Sequence, residues 1–151
     1  MSAAFAFLHH LVAFALVAAI VVEFALIRQP IDPANARRLA LADMVVGISA
    51  GVLLVVGLLR VFYFEKGAAF YLHNAAFIAK LALFVAVALL SIYPTLKFLS
   101  WRKGRIDAAA VPAIRRILHL ELVGVVLILL CAALMARGIG AFAFAPPIAA
   151  R

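Results

Sequence analysis

Four long apolar stretches, separated by short polar segments, dominate the pattern of hydrophobic and polar positions along the chain. About 20 apolar residues at a rise of 1.5 Å each span the roughly 30 Å hydrocarbon core of a bilayer. The pattern predicts membrane-spanning helices at about residues 4–27, 39–62, 71–98 and 111–137. Because the connections are short, we expect an all-α integral membrane protein, an up-down antiparallel four-helix bundle. Residues 1–151 form a single membrane domain in this interpretation, with an irregular tail at 138–151.

The second apolar stretch carries small residues, and the loop before it carries helix-capping residues. Asp32 and Asn35 are the candidate caps for the helix that follows the loop. Gly47, Ser49 and Gly51 lie on that helix, and small residues allow two helices to approach closely in a membrane. We therefore expect this small-residue stripe to be the packing face of the second helix.

The composition supports the membrane assignment. Hydrophobic residues make up 70% of the 151 residues and the mean hydropathy is +1.24, which leaves too little polar surface for a soluble protein of this size. The net charge of +8 does not indicate a nucleic-acid partner, because the basic residues lie between apolar runs and no nucleic-acid motif accompanies them. Membrane lipid, including anionic headgroups, is the expected partner of these charges.

The basic residues also predict an orientation. Nine of them lie in or beside the first and third loops: Arg28, Arg37, Arg38, Lys97, Arg102, Lys103, Arg105, Arg115 and Arg116. Four lie on the opposite side: Arg60, Lys66, Arg137 and Arg151. By the positive-inside rule, the first and third loops are cytoplasmic and both termini are periplasmic. The expected location is the bacterial inner membrane, which the chain crosses several times.

Polar residues inside the apolar stretches fall into two layers. Ionisable side chains at such positions normally face protein, water or a cofactor instead of lipid. The predicted outer layer contains His9, His10, Arg60, His73, Asn74 and Lys80. The predicted inner layer contains Glu23, Asp43, Arg38, Arg116, His119 and Glu121.

The outer layer has the composition of a cofactor site. Imidazoles on facing helices of a bundle can ligate haem iron, and Arg or Lys at the same depth can pair with the propionates. We therefore predict a haem b site with His9, His10 and His73 as candidate iron ligands and with Arg60 and Lys80 as charge partners. Three histidines also suit copper or zinc. Interfacial hydrogen bonding by the two adjacent histidines and a loop position for His73 are the simpler alternatives.

Helical geometry separates the two adjacent histidines. At 100° per residue, His9 lies about 40° from the direction of Glu23, whereas His10 lies about 140° away. If Glu23 faces the bundle, His9 faces inward and His10 faces a different neighbour, such as another subunit.

The inner layer has a structural interpretation. Glu23, Asp43 and Glu121 lie near an arginine-rich rim, so ion pairs that hold the helices in register are expected there. His119 and Glu121 are two residues apart and point to nearly opposite helix faces. They are not expected to converge on one ligand.

Several segments resemble known membrane families. FLHHLVAFALVAAIVVEFALIR, GLLRVFYFEKGAAFYLHNAAFIAKLALF, SIYPTLKF and ALMARGIG look like a bacterial inner-membrane family of unknown function. A more distant resemblance runs to the group that contains the haem-associated membrane protoporphyrinogen oxidase and the copper-resistance membrane domain. The oxidase family has an essential His in its first helix, matched by His9 or His10, and a Lys in its third, matched by Lys80. RRILHLEL is similar to its Arg-Leu-Leu-Asn-Glu segment, except that His119 replaces the Asn and Glu121 falls one position late.

We expect a membrane protein that binds haem b and has a redox or electron-transfer role, with quinone or a porphyrinogen as partner. It would then act as a membrane oxidoreductase. One alternative is a non-catalytic accessory or structural subunit of a larger respiratory or photosynthetic membrane complex, and a homo-oligomer is also open. The third is a copper-handling membrane protein.

Overall fold

The computed structural model describes residues 2–64 and 73–140, and it is an all-helical bundle. Its four long helices are α1 (Ser2–Leu26), α2 (Pro33–Leu59), α3 (Ala75–Arg102) and α4 (Val111–Ala136). A short π-helical segment, Arg60–Phe64, continues α2, and a 3₁₀ turn, Ala108–Ala110, precedes α4. Each long helix is long and apolar enough to cross a membrane.

The four helices pack as an up-down bundle in which neighbours in sequence are neighbours in space. α1 packs along α2 and α3 packs along α4, and the two pairs meet through α2 with α3 and through α4 with α1. Large apolar side chains such as Phe14, Leu89 and Val126 point outward, as expected for helices that face lipid. The fold prediction of an antiparallel four-helix membrane bundle is confirmed.

The loop between α1 and α2 is held by its own side chains, and α2 begins at Pro33, earlier than the predicted start near residue 39. The Asp32 carboxylate accepts a hydrogen bond from the Asn35 backbone N–H at 2.6 Å, which makes Asp32 the cap. The Asn35 side-chain amide donates to the carbonyls of Leu26 and Pro30, both at 3.0 Å. Proline is well accommodated in the first turn of a helix, where its missing N–H would have no helical partner.

α3 begins at Ala75 and runs to Arg102, past its predicted end near residue 98. The Asn74 side chain caps it by accepting from the backbone N–H groups of Ala76 and Phe77 at 2.9 and 3.2 Å. The predicted start at residue 71 lies outside the described residues. At the other end, Trp101 is buried in the core, so packing supports the additional turn.

The end of the bundle that contains the loops 27–32 and 103–110 is called the basic end here. Its core consists of Ile27, Ala36, Leu39, Ala40, Phe98, Trp101, Ala110, Ile114 and Leu118. A second cluster lies nearer the middle of the helices and consists of Leu16, Ala19, Ile20, Val46, Leu53 and Val125. The side chains of the described residues 4–13, 129–140 and most of 73–84 are half-buried or exposed, so the opposite end is packed more loosely.

The loop between α3 and α4 contains an exposed ion pair. Lys97 Nζ donates to Asp107 Oδ2 at 2.8 Å. This hydrogen bond lowers the pKa of the Asp107 carboxyl below its ordinary value of 3.8. Asp107 Oδ1 also accepts from the Ala109 backbone N–H at 3.1 Å, so the same residue caps the turn that leads into α4.

The prediction that the small-residue stripe is the packing face of α2 is wrong for Gly47 and Gly51. A Cβ atom added at Gly47 or Gly51 would meet no other atom within 4 Å, whereas Ser49 is buried. The close approach lies between α3 and α4 instead, where a Cβ at Gly124 would come within 2.5 Å of Val87 Cγ2. Small residues permit close packing, but which helix face meets a neighbour depends on the whole bundle.

After α4 the chain turns back over the start of α3. Gly138 and Gly140 have φ values of +74° and +90°, which glycine adopts without the steric cost that other residues would incur. The Gly140 carbonyl accepts from the Ala75 backbone N–H at 2.8 Å. The predicted irregular tail is therefore a defined turn as far as Gly140, and its remainder, 141–151, lies outside the described residues.

Candidate functional site

The two adjacent histidines of α1 face different surroundings. His9 is half-buried, and its Cε1 atom lies 3.7 Å from the position that a Cβ at Gly57 of α2 would occupy. His10 is exposed, and its Nδ1 is 2.6 Å from the Ala6 carbonyl, one turn earlier. This is the arrangement that the helical geometry predicts, because Glu23 is also buried on the inward side.

Lys80 of α3 lies at the same end of the bundle and is half-buried. Its Nζ atom is 5.2 Å from the centroid of the Phe77 ring, within the range of a cation–π contact. The ring of Phe77 is itself buried. A charged side chain one or two turns into an apolar helix is stabilised by such contacts.

His9 and Lys80 line the same cavity, although they come from different helices. The cavity has a volume of about 180 Å³ and receives side chains from all four long helices. The other lining residues are apolar: Ala13, Leu16, Val17, Leu53, Leu54, Gly57, Leu58, Val61, Phe77, Leu81, Phe84, Val125, Ile128, Leu129 and Ala132. An imidazole and an amine therefore share an otherwise apolar cavity.

Three other predicted outer-layer residues, His10, His73 and Asn74, do not line this cavity. His73 is exposed in the turn before α3. Arg60 begins the π-helical segment, but its side chain lies outside the described part of the structure. Throughout residues 2–64 and 73–140, no three His, Cys, Asp or Glu side chains lie close enough together to hold a metal ion.

Three buried carboxyl groups form the inner layer. Glu23 of α1, Asp43 of α2 and Glu121 of α4 are 2%, 8% and 1% exposed. Asp43 Oδ1 accepts a hydrogen bond from Thr95 at 2.6 Å, and Glu121 Oε1 accepts one from Ser91 at 2.7 Å. We call these five residues the carboxylate layer. It lies between the core of the basic end and the second apolar cluster.

The prediction that arginines pair with these carboxylates is wrong for the described residues. Within 2–64 and 73–140, neither Glu23, Asp43 nor Glu121 lies within salt-bridge distance of a basic side chain. Arg116 and His119 are exposed on α4, and the His119 ring is 6.3 Å from that of Phe24. The reason is that these residues lie on different faces of α4: Arg116 and His119 point away from the bundle, whereas Glu121 points into it.

Ser91 and Thr95 are members of the layer that the sequence interpretation missed. The signal is present, since two hydroxyl residues four positions apart share one face of an otherwise apolar helix. Hydroxyl side chains in membrane helices commonly form hydrogen bonds across helix interfaces. Their spacing could therefore have identified the α3 face that meets the carboxyl groups.

The comparisons with known proteins give a family but no activity. A family model described as "Predicted membrane protein (DUF2214)" matches residues 1–140. Neither the curated proteins nor the solved structures show a match to the chain.

Proposed function

We propose that this chain, which belongs to the DUF2214 family of predicted membrane proteins, binds haem b and transfers electrons. The observation that supports this proposal is the shared location of His9 and Lys80 in one apolar cavity between four helices. Two nitrogen-bearing side chains from separate helices are costly to maintain in a membrane interior without a function. The sequence resemblance to the oxidase family matches its essential His to His9 or His10 and its third-helix Lys to Lys80.

Each residue of the cavity has a separate part in this proposal. The His9 imidazole would hold the haem iron, and its Cε1 lies 3.7 Å from where a Cβ at Gly57 would be. The Lys80 ammonium would pair with a haem carboxylate, and the aliphatic and aromatic walls would exclude water. Bound haem supplies one-electron chemistry, and its potential depends on the axial ligand and on the polarity around it.

The loose packing of this end is part of the proposal. A volume of about 180 Å³ is below the roughly 300 Å³ at which ligand pockets usually begin. The helices must therefore move apart to admit a porphyrin. Separation is less costly here than at the basic end, where large side chains such as Phe98 and Trp101 are fully buried.

An optical spectrum tests the proposal directly. The protein is expressed with added iron and a haem precursor, purified in mild detergent and scanned for a Soret band. We expect the band in the wild type and in His10→Ala, the matched control, because His10 is exposed. We expect it to be lost in His9→Ala and weakened in Lys80→Met. Absence of the band from the wild type, or equal bands in the His9 and His10 variants, would overturn the proposal.

A redox role requires that bound haem exchanges electrons with a membrane carrier. We propose a quinol or a porphyrinogen as the partner, since both are apolar enough to reach a haem from the bilayer. Addition of a quinol under anaerobic conditions should convert the oxidised spectrum to the reduced one. A haem that stays oxidised with both classes of donor would argue against electron transfer while leaving haem binding intact.

We also propose that the chain lies in the bacterial inner membrane with the basic end in the cytoplasm and both termini in the periplasm. The support is the excess of Lys and Arg in the loops at that end, which favours cytoplasmic retention. An alkaline phosphatase fused after Arg151 should be active, since this enzyme folds in the periplasm. Activity of a fusion in the loop 103–110 would instead indicate the reverse orientation.

A further inference from the structure

The carboxylate layer is a second polar centre, separate from the cavity that contains His9 and Lys80. All four long helices contribute to it: Glu23 from α1, Asp43 from α2, Ser91 and Thr95 from α3, and Glu121 from α4. Glu23 lies within electrostatic range of both Asp43 and Glu121. The three carboxyl groups therefore belong to one centre.

Two oxygens of this centre are buried and have no hydrogen-bond partner among the described residues. They are Oε1 of Glu23 and Oε2 of Glu121, on side chains that are 2% and 1% exposed. A buried polar atom without a partner is costly, and a buried ionised carboxylate without a counter-charge is far more costly. Among the described residues, no group donates a hydrogen bond to either oxygen.

In the part of the chain that the structure describes, the charged groups around the centre do not supply a counter-charge. On α1 and its following loop, Arg28 lies over the Phe24 ring, 4.3 Å from its centroid. On α3, Lys97 is bound to Asp107 and Tyr93 is exposed. On α2, Arg37 and Arg38 are exposed, and on α4 so are Arg115, Arg116 and His119.

The geometry favours the proton over a metal ion as the ligand. Among the described residues, no three carboxylate or imidazole groups converge closely enough to coordinate one ion. A proton needs only one oxygen as its site and a second as acceptor. Each hydroxyl donates to one carboxyl oxygen, which leaves other carboxyl oxygens to carry or share protons.

A cavity of about 270 Å³ adjoins the centre and is lined by Asp43, Ser91 and Thr95. Water-sized space next to a carboxyl group provides a route by which protons can enter and leave. Four residues line both this cavity and the one with His9 and Lys80, namely Leu16, Phe84, Val125 and Ile128. This apolar wall separates the two centres.

We propose that Glu23, Asp43 and Glu121 form a proton-binding and proton-exchange site in the half of the membrane nearer the basic end. At neutral pH the site holds protons on its carboxyl groups and exchanges them through the adjacent cavity. This inference does not depend on haem binding, because it uses none of the residues of the other cavity.

Infrared spectroscopy of the full chain in lipid nanodiscs tests the proposal without any variant. A protonated carboxylic acid has a C=O stretch that is separate from the carboxylate bands and shifts in D₂O. We expect this band at pH 7 both with and without sodium or potassium in the buffer, and we expect it to decline as the pH is raised. The band should shift in D₂O within the time of the measurement, since the site exchanges protons.

Variants then assign the band. Glu23→Gln and Glu121→Gln keep the shape of the side chain but cannot release a proton, so each should remove part of the band. Asp107→Asn is the matched control, because this carboxyl is exposed and paired with Lys97, and it should leave the band unchanged. Wild-type protein with no such band at pH 7 would overturn the proposal. A band that appears only after sodium or potassium is removed would also overturn it, in favour of a cation site.

Discussion

The two ends of the bundle differ in how tightly they are packed and in the chemistry of their buried polar groups. At the basic end, Phe98, Trp101, Ile114 and Leu118 are almost completely buried, and the carboxyl groups lie directly beyond them. At the opposite end few of the described side chains are buried, and His9 and Lys80 line a cavity. The acidic centre is thus built into the well-packed half and the basic one into the loose half.

This difference indicates a division of roles along the bundle axis. Van der Waals contact is the main force between membrane helices. Tight packing can therefore fix the positions of the buried carboxyl side chains without ion pairs to described basic residues. Loose packing leaves room for a ligand to enter.

The largest expected effect is at the packed end. Trp101→Ala should lower the free energy of unfolding by about 3 kcal/mol, because it empties a fully buried site that neighbouring helices cannot fill. Unfolding in mixed detergent micelles measures the loss. Leu89→Ala is the control, since Leu89 is 63% exposed and should change stability by less than about 0.5 kcal/mol. Similar losses of stability in both variants would mean that the sites of Trp101 and Leu89 are equally well packed.

The next effect concerns the loose end. Haem at a hundred times its dissociation constant should stabilise the wild type by about 2.7 kcal/mol, because a ligand that binds only the folded state shifts the unfolding equilibrium. The same unfolding assay with and without haem measures this gain. His9→Ala should show no gain, whereas His10→Ala should behave as the wild type. Stabilisation of the His9 variant would place the binding elsewhere.

A smaller effect tests the contact between α3 and α4. Gly124→Ala should destabilise the bundle by about 1–2 kcal/mol, since the new Cβ would lie 2.5 Å from Val87 Cγ2 and either the Val87 side chain or the two helices must shift. Gly47→Ala is the matched control, with no atom within 4 Å of the added Cβ, and should be neutral or slightly stabilising. The double variant Gly124→Ala with Val87→Ala should recover part of the loss. Equal effects at the two glycines would contradict the close approach.

The smallest effect is at the surface of the basic end. Asp107→Asn removes an exposed ion pair but keeps an oxygen for the Ala109 N–H, so only a small loss of stability is expected. Because the pKa of Asp107 is lowered in the folded protein, its contribution is present above pH 3.8 and disappears as the pH falls through the folded value. Thermal unfolding of the wild type and the variant at neutral and acidic pH, at low and high salt, measures the stability contribution of Asp107. If the stability difference between the wild type and Asp107→Asn grew as the pH was lowered, the predicted direction of the pH dependence would be wrong.

The four spans and the inward direction of His9 could be predicted because each depends on one helix alone. Bilayer thickness requires about 20 apolar residues per span, and the 100° rotation per residue relates His9 to Glu23 within α1. Helix caps such as Asp32 could also be predicted, because a cap bonds to backbone groups only a few residues away in the sequence. Polar positions inside apolar runs were sufficient to suggest two layers before any packing was known.

The partners of those polar residues depended on the tertiary structure. Gly47 and Gly51 face open space while Gly124 meets Val87, and Glu121 bonds Ser91 instead of an arginine. The rotation of a membrane helix about its axis is set by packing against its neighbours, so the sequence of one helix does not specify what its buried face meets. Hydropathy and helical period determine the spans and which residues share a face. Only the assembled bundle decides that His9 shares a cavity with Lys80 and that three carboxyl groups are buried in one layer with no described cation paired to them.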